Sequence, residues 1–267
     1  ETQAKWRGCY VADDHVVLSY TVGKTQIQEE PGSIEKDGQT VFVRHIKHAG
    51  LGAELAALVC EVENAEGSVE NGAAMLVAAD QVTQAVLVGA PKGAMLKVQE
   101  DKRIVAILPK GIKAGIFQIR IWTGSKADHA NITKLLKVPA KAEFRTTGTN
   151  RWPQAIIKQG VMNASKTPDG AYVTDVIASP EQNPWNRRVR FGGLDFFSDG
   201  NRAALSTWDG DVWIVEGLKN KDFKNIKWTR FASGGFETLG LKIVDDVVYT
   251  SGRDEITRYH DLNNDGG

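Results

Sequence analysis

The run RFGGLDFFSDGNRAALSTWDGDVWIVEG, Arg190 to Gly217, decides the fold. Gly193–Ser198 reads as a strand that meets a tight Ser-Asp-Gly-Asn turn at 198–201, and Arg202–Thr207 reads as the strand returning from it. A second turn, Trp-Asp-Gly-Asp at 208–211, leads into a third strand, Val212–Glu216. Asp, Asn and Gly tolerate left-handed backbone or bond their own main chain, as short hairpins require. A polar connector then reaches KWTRFA, Lys227–Ala232, which reads as a fourth strand. Four short antiparallel strands in about 45 residues match the period of a β-propeller blade.

The pattern then starts again. Gly193-Leu194-Asp195-Phe196 is echoed 47 residues on by Gly240-Leu241-Lys242-Ile243. The echo continues through Val247–Thr250, the turn Ser251–Asp254 and Glu255–His260, where Asp211-Val212 finds its counterpart 44 residues on in Glu255-Ile256. The expected fold is all-β: antiparallel four-stranded blades of a propeller, partial, with one short linker helix. The residues expected in its core are Leu194, Phe196, Leu205, Val212, Ile214, Leu241, Ile243, Val248 and Ile256, which alternate with polar neighbours in the repeated segments.

Working outward, the front of the chain has a similar rhythm. Gly8–Val11, His15–Val22, Thr25–Glu29 and Thr40–His48 read as strands split by Asp13-Asp14, Gly23-Lys24 and Lys36-Asp37-Gly38. Ala56–Glu63, Ala73–Ala79, Thr83–Val88 and Ala94–Gln99 read as a second sheet, followed by Arg103–Leu108 and Gly115–Trp122. Asp128–Lys137 alone looks helical, with Ile132, Leu135 and Leu136 at helical spacing behind Asp128 or Asn131 as cap. The polar Thr146–Asn150, with Trp152-Pro153, separates a front region of blades or β-sheet, 1–145, from back blades of the same propeller, 146–267, expected to be truncated at the C-terminus. Beyond it Ala171–Ala178 reads as a strand, and Ser179–Arg187 as a Pro-punctuated loop feeding the 190–217 segment.

Composition narrows the function. The 33 basic and 33 acidic residues balance, and no basic stripe is interleaved with aromatics, which argues against a nucleic-acid partner. Apolar runs such as Ala73–Ala79 and Thr83–Ala90 are strand-sized, far short of the roughly 18–20 residues of a membrane helix. Cys9 and Cys60 are the only cysteines, open to a bridge or to two separate buried thiols. With no C-x-x-C-H, no haem is expected to be covalently attached to this chain.

Several residue sets bear on chemistry. Asp261-Leu262-Asn263-Asn264-Asp265-Gly266 follows the opening of a calcium loop, with Asp261, Asn263 and Asp265 as oxygen ligands and Gly266 at the sharp turn. The plain alternative is a solvated Asn-Asp-Gly turn. His45 and His48, three apart in a strand, should point to opposite faces and read as solvated residues rather than a metal pair. His260, beside the candidate calcium turn, reads as a ligand-facing or a packing residue. Arg187, Arg188, Arg190, Asp209, Asp211, Arg253 and Asp254 crowd the blade turns. Arg253 and Asp254 are readable as a clamp on a carboxylate or sugar hydroxyl, or as an ordinary ion pair. Trp208 and Trp213 suit sugar stacking, although Trp213, alternating with Val212 and Ile214, suits the core better. The ligand-binding set is thus Arg190, Trp208, Asp209, Arg253, Asp254 and His260.

The succession RWP (Arg151–Pro153), AYVTDVIASPEQNPWN (Ala171–Asn186), GLDFFSDG, ALSTWDGDVWIVEGL (Ala204–Leu218), LGLKIVDDVVY (Leu239–Tyr249) and RDEITRYHDLNNDG (Arg253–Gly266) resembles a family of large secreted bacterial proteins. In that family a glucose/sorbosone-dehydrogenase-like β-propeller is joined to a c-type cytochrome domain. WRGCYV (Trp6–Val11) and VVLSYTVG (Val16–Gly23) extend the likeness less densely into the front half. The resemblance implies a periplasmic or secreted, cytochrome-linked oxidoreductase acting on sugars or sugar-like alcohols. It brings pyrroloquinoline quinone and calcium as cofactors and a cytochrome domain or subunit outside this chain as partner. The alternative is a non-catalytic propeller module that binds a glycan or a protein. Where relatives carry Cys-Arg-Asp in the last blade this chain has Gly252-Arg253-Asp254, and the family pattern runs on past Gly267, so a fragment is expected.

Overall fold

A computed structural model of the chain describes residues 4–139, 141–164 and 170–266. Its strands pair antiparallel throughout, and one α-helix accompanies them among the described residues, so the protein is all-β. The chain divides into two compact units, Glu1–Gly148 and Thr149–Gly267.

The first unit opens with β1 (Ala4–Ala12), β2 (His15–Val22), β3 (Thr25–Lys36) and β4 (Gln39–His48), joined by tight turns in which Asp13 and Asp37 adopt positive φ. There follow β5 (Leu55–Glu61), β6 (Glu66–Glu70), β7 (Ala73–Ala78), β8 (Gln81–Val88), β9 (Met95–Gln99), β10 (Arg103–Leu108) and β11 (Gly115–Ser125). These do not form a separate second sheet. β4 pairs with β11, and the order β1-β2-β3-β4-β11-β8-β7-β6 makes one eight-stranded sheet, while β5-β10-β9 make a three-stranded one. The expected grouping of the segments around residues 56–99 is therefore corrected. β7 and β8 belong to the large sheet and β5 and β9 to the small one, because the long-range β4–β11 pairing leaves no trace in local periodicity.

Both faces of the large sheet are covered. Ile46, Phe117, Ile119 and Leu76 pack towards the small sheet around Ile104 and Leu96. Val41, Val43 and Trp122, on the other face, pack under α1 (Lys126–Leu135) through Ile132, Leu135 and Leu136. The helix starts two residues earlier than expected. Its cap is Ser125, whose Oγ accepts the Asp128 amide, because a hydroxyl there leaves Asp128 free as the acidic first-turn residue. His45 and His48 do lie on opposite faces, but both are buried, a correction that follows from β4 being an interior strand covered on both sides. Cys9 and Cys60 form no disulfide, and Cys9 is exposed on the edge strand β1 rather than buried.

The second unit contains β12 (Ile156–Lys158), β13 (Gly160–Val161), β14 (Val176–Ile177), β15 (Phe191–Phe196), β16 (Arg202–Thr207), β17 (Val212–Glu216) and β18 (Ile226–Ala232). It ends with β19 (Gly240–Val244), β20 (Val247–Ser251) and β21 (Ile256–Arg258). β15 to β18 form the four-stranded meander read from the sequence, with β12 added beside β18, and β19-β20-β21 form a second sheet. Of the strand expected over Ala171–Ala178, only Val176–Ile177 is extended in a pair; Tyr172 and Val173 are exposed and pair with no strand among the described residues.

Two apolar layers hold this unit. Leu205, Trp213, Val215 and Trp228 face Trp185, Val189 and Phe223, whereas Ala204, Val212 and Phe197 face Ile243 and Val248 of the next sheet. Leu205, Val212, Ile243 and Val248 are buried as expected, and Ile214 and Leu241 partly so. Leu194, Phe196 and Ile256 are corrections, at 52 %, 55 % and 76 % exposed. β15 is an edge strand, and its Leu194–Phe196 face lies beyond the cover that Trp185 and Phe223 give the inner strands. Phe197, one residue on, turns to the opposite face and is the buried member. Ile256 opens a three-residue edge strand. No helix among the described residues is long and apolar enough to cross a membrane.

β15 and β19 lie close together, which the repeat explains. Gly193 packs so near β19 that a Cβ there would sit 2.4 Å from the Leu241 nitrogen. Asp195 reaches across to accept the Ile243 amide (2.9 Å) and pairs with Lys242 (2.7 Å). Asp246, in the β19–β20 turn, accepts the Ser198 amide and hydroxyl.

Candidate functional site

The structure separates the residues singled out in the sequence into two groups. One group gathers at the turns β16–β17 and β20–β21. The Trp-Asp-Gly-Asp turn is tight because Gly210 adopts φ +87° and leaves room for the Gly235 carbonyl, which a Cβ would approach to 2.0 Å. The Gly235 amide donates to the Gly210 carbonyl, and Thr238 Oγ1 donates to that of Thr207, so the connector after β18 is laced to this turn.

On that scaffold Asp211 is fully buried between two arginines: Arg187 Nε donates to Oδ2 and Arg230 Nη2 to Oδ1, each at 2.7 Å. Arg230 lies over Trp152, 4.3 Å from the ring centroid, and Trp213, fully buried, packs beside Trp185. Arg190 forms a two-pronged pair with Asp209 (2.8 and 3.1 Å) and covers the half-exposed Trp208. The Arg190 guanidinium holds the Asp209 carboxyl below its usual range. Arg253 pairs with Glu237 at 3.1 Å and lies over Phe236, while Asp254 is exposed in the same turn. Arg230, Trp152 and Glu237 escaped the sequence reading. The one available signal was Arg230 sitting in phase with Trp228 in KWTRFA, on the face that is otherwise apolar.

The second group lies at the opposite end of β20. His260, Asp261 and Asp265 line a pocket of ≈ 420 Å³ between the two sheets, together with Arg202, Glu216, Lys227, Asp246, Phe231 and Tyr259. Its walls follow from strand alternation: Arg202, Glu216 and Lys227 stand side by side across β16, β17 and β18, one step from Ile214 and Thr229. Lys227 pairs with Glu216 (3.1 Å) and Arg202 with Asp199 (2.6 Å), Arg202 also covering Phe197. Ser198 holds the Asp246 carboxyl low. His260 is exposed at the rim.

In the calcium-like turn Asp261 accepts the amides of Asp265 (3.2 Å) and Gly266 (2.9 Å), and Asn263 Nδ2 donates to Asp265 Oδ2. Three side chains of the right oxygen chemistry are therefore present, already folded into a turn, against the 6–8 oxygens that calcium takes. Arg190, Arg202, Arg230 and Arg253, each over an aromatic ring, are bonded to carboxylates of the chain itself, and Arg151 and Arg258 lie over Trp152 and Tyr249.

Comparison with models of known protein families gives no match, and comparison with curated proteins gives none either. The arrangement itself offers binding chemistry: fixed fork-shaped donors and acceptors beside aromatic rings.

Proposed function

We propose that the second unit is a pair of neighbouring propeller-type blades and that the chain is a non-catalytic binding module for a sugar-like polyol. In this reading it serves an extracytoplasmic, cytochrome-linked protein of the family it resembles, the electron transfer residing outside this chain. Calcium, through Asp261, Asn263 and Asp265, would brace the turn after the last strand once further oxygens complete its shell.

The observation that carries the reading is the pocket between the sheets. It sets Arg202, Glu216, Lys227 and Asp246 around Phe231 and Tyr259. A pyranose has an apolar face for an aromatic ring and hydroxyls that both donate and accept, so alternating charged forks and rings suit it. Hydrogen bonds to charged groups are worth about 1.5–3 kcal/mol each before the costs of binding. The blade assignment is supported by the repeat, by the meander β15–β18, and by the glycine-packed approach of β15 to β19.

Calorimetric titration with neutral disaccharides tests the proposal, alongside dye reduction with quinone and calcium added. Saturable binding without turnover is expected. Turnover of the sugar would make the chain an enzyme, and silence in both assays would remove the sugar altogether.

A further inference from the structure

One row of polar side chains crosses the helix-covered face of the eight-stranded sheet in the first unit. Glu30 of β3, His45 of β4 and Gln118 of β11 stand opposite one another in register. His15 of β2 reaches Glu30 from one side, and Arg120 of β11 donates twice to Gln118 from the other. Glu30, His45 and Gln118 are buried and Arg120 is completely so.

Buried charge is costly unless it is bonded, and here both charges bond to the chain that leaves α1. Arg120 Nη1 donates to the carbonyls of Leu136 (2.8 Å) and Val138, where the negative end of the helix dipole collects. Glu30 Oε2 accepts the amides of Glu143 (3.1 Å) and Phe144 (2.7 Å), and Oε1 takes His15 Nδ1 at 2.7 Å. Residues 141–148 form no helix or strand, so these amides have no ladder of their own. Phe144 is also bent to φ +45°, a conformation that a bulky residue keeps only when its surroundings hold it.

We propose that Glu30 is the buried catch of an acid-released strap: its carboxylate holds residues 141–148 on the sheet at neutral pH, and acid frees that stretch while Arg120 keeps α1 in place. The charged and titratable groups around the catch are His15 on β2, Asp13 and Asp14 in the turn before it, His45 and Lys47 on β4, Arg120 on β11, and Glu143 and Arg145 on the strap.

Their signs agree. Burial pushes the Glu30 carboxyl up, but the Phe144 amide, the His15 ring and the Glu143 amide together outweigh it and hold the group below its ordinary value. The hold is therefore present above that ordinary value and is lost as pH falls through the lowered one. His15, raised by its bond to Glu30, is protonated throughout this window and stays with the carboxylate. Burial keeps His45 neutral below the usual 6.5, against the pull of Glu30 and with the help of Arg120, and its Nδ1 has no partner.

Hydrogen exchange of the whole chain, corrected for the intrinsic pH effect, tests this between about pH 6 and about pH 3, a range that spans the lowered Glu30 window. Protection of the Glu143 and Phe144 amides should fall at least about tenfold relative to β4, β11 and Leu136. A constant ratio would overturn the proposal. Glu30→Gln keeps the shape and one acceptor but loses the charge. It should expose both amides at neutral pH and flatten the pH response; a variant still protected and still pH-sensitive would also overturn it. Should Glu30→Gln fold poorly, the pH series on the unmodified chain decides alone. Asp13→Asn, which removes the surface pair with Arg145, should leave the response intact, and its loss there would move the catch to the surface and end the claim.

Discussion

Gly193 owes its identity to a neighbour, not to its own backbone. The Leu241 nitrogen would lie 2.4 Å from any added Cβ, and that atom belongs to a strand that cannot yield cheaply. Gly193→Ala should therefore lower unfolding free energy by about 1–3 kcal/mol in chemical denaturation. Gly52→Ala, with nothing within 4 Å and no left-handed backbone, should be close to neutral. Asp211 makes the complementary case. Its buried carboxylate neutralises two guanidinium groups, so Asp211→Asn should cost about 3–5 kcal/mol. Asp199→Asn, on a half-exposed pair with Arg202, should cost about 0–1 kcal/mol. Equal losses for the two aspartates would contradict the burial argument. The sequence shows Asp209 and Asp211 as turn residues of equal standing. Which of them is sealed depends on Arg230, and that partner is contributed by another strand.

At the scale of elements, strands were legible and sheets were not. The turn residues that bound β15 to β18 mark these strands closely, even where β16 and β17 bury both faces. Alternation does not say whether a partner strand exists, which is why Ala171–Ala178 shrinks to Val176–Ile177. Nor does it tell an edge strand from an interior one, which is why Leu194 and Phe196 are exposed and His45 and His48 are not. The turn 261–266 was legible as a shape, because Asp261 folds it by accepting two amides. Its chemistry is testable by melting. If the turn holds calcium, Asp261→Ala should lower Tm in calcium and much less in chelator, because ligand stabilisation vanishes with the ligand. Equal losses in both would make Asp261 a turn residue alone.

On the scale of the whole molecule, the back half announced itself by repetition and the front half did not. The echo from Gly193 to Gly240 reports two sheets packed through one kind of contact, with Asp195 and Asp246 both bonding across it. The first unit joins distant strands through β4 and β11, a pairing without a local signature. The site was legible only as residue types. Arg190, Asp209, Arg253 and Asp254 cluster at one end, the first three in ion pairs, while His260, Asp261 and Asp265 stand with Arg202 and Tyr259 at a pocket whose other walls no motif marked. The central claim is that this pocket binds a polyol. The most direct measurement is amide chemical-shift mapping on the isotope-labelled chain during titration with maltose, cellobiose and lactose. Saturable shifts centred on Arg202, Lys227, Tyr259 and His260, abolished by Tyr259→Ala, are the expected result; shifts centred on the Arg190–Asp209 end, or none with any of the three sugars, would contradict it.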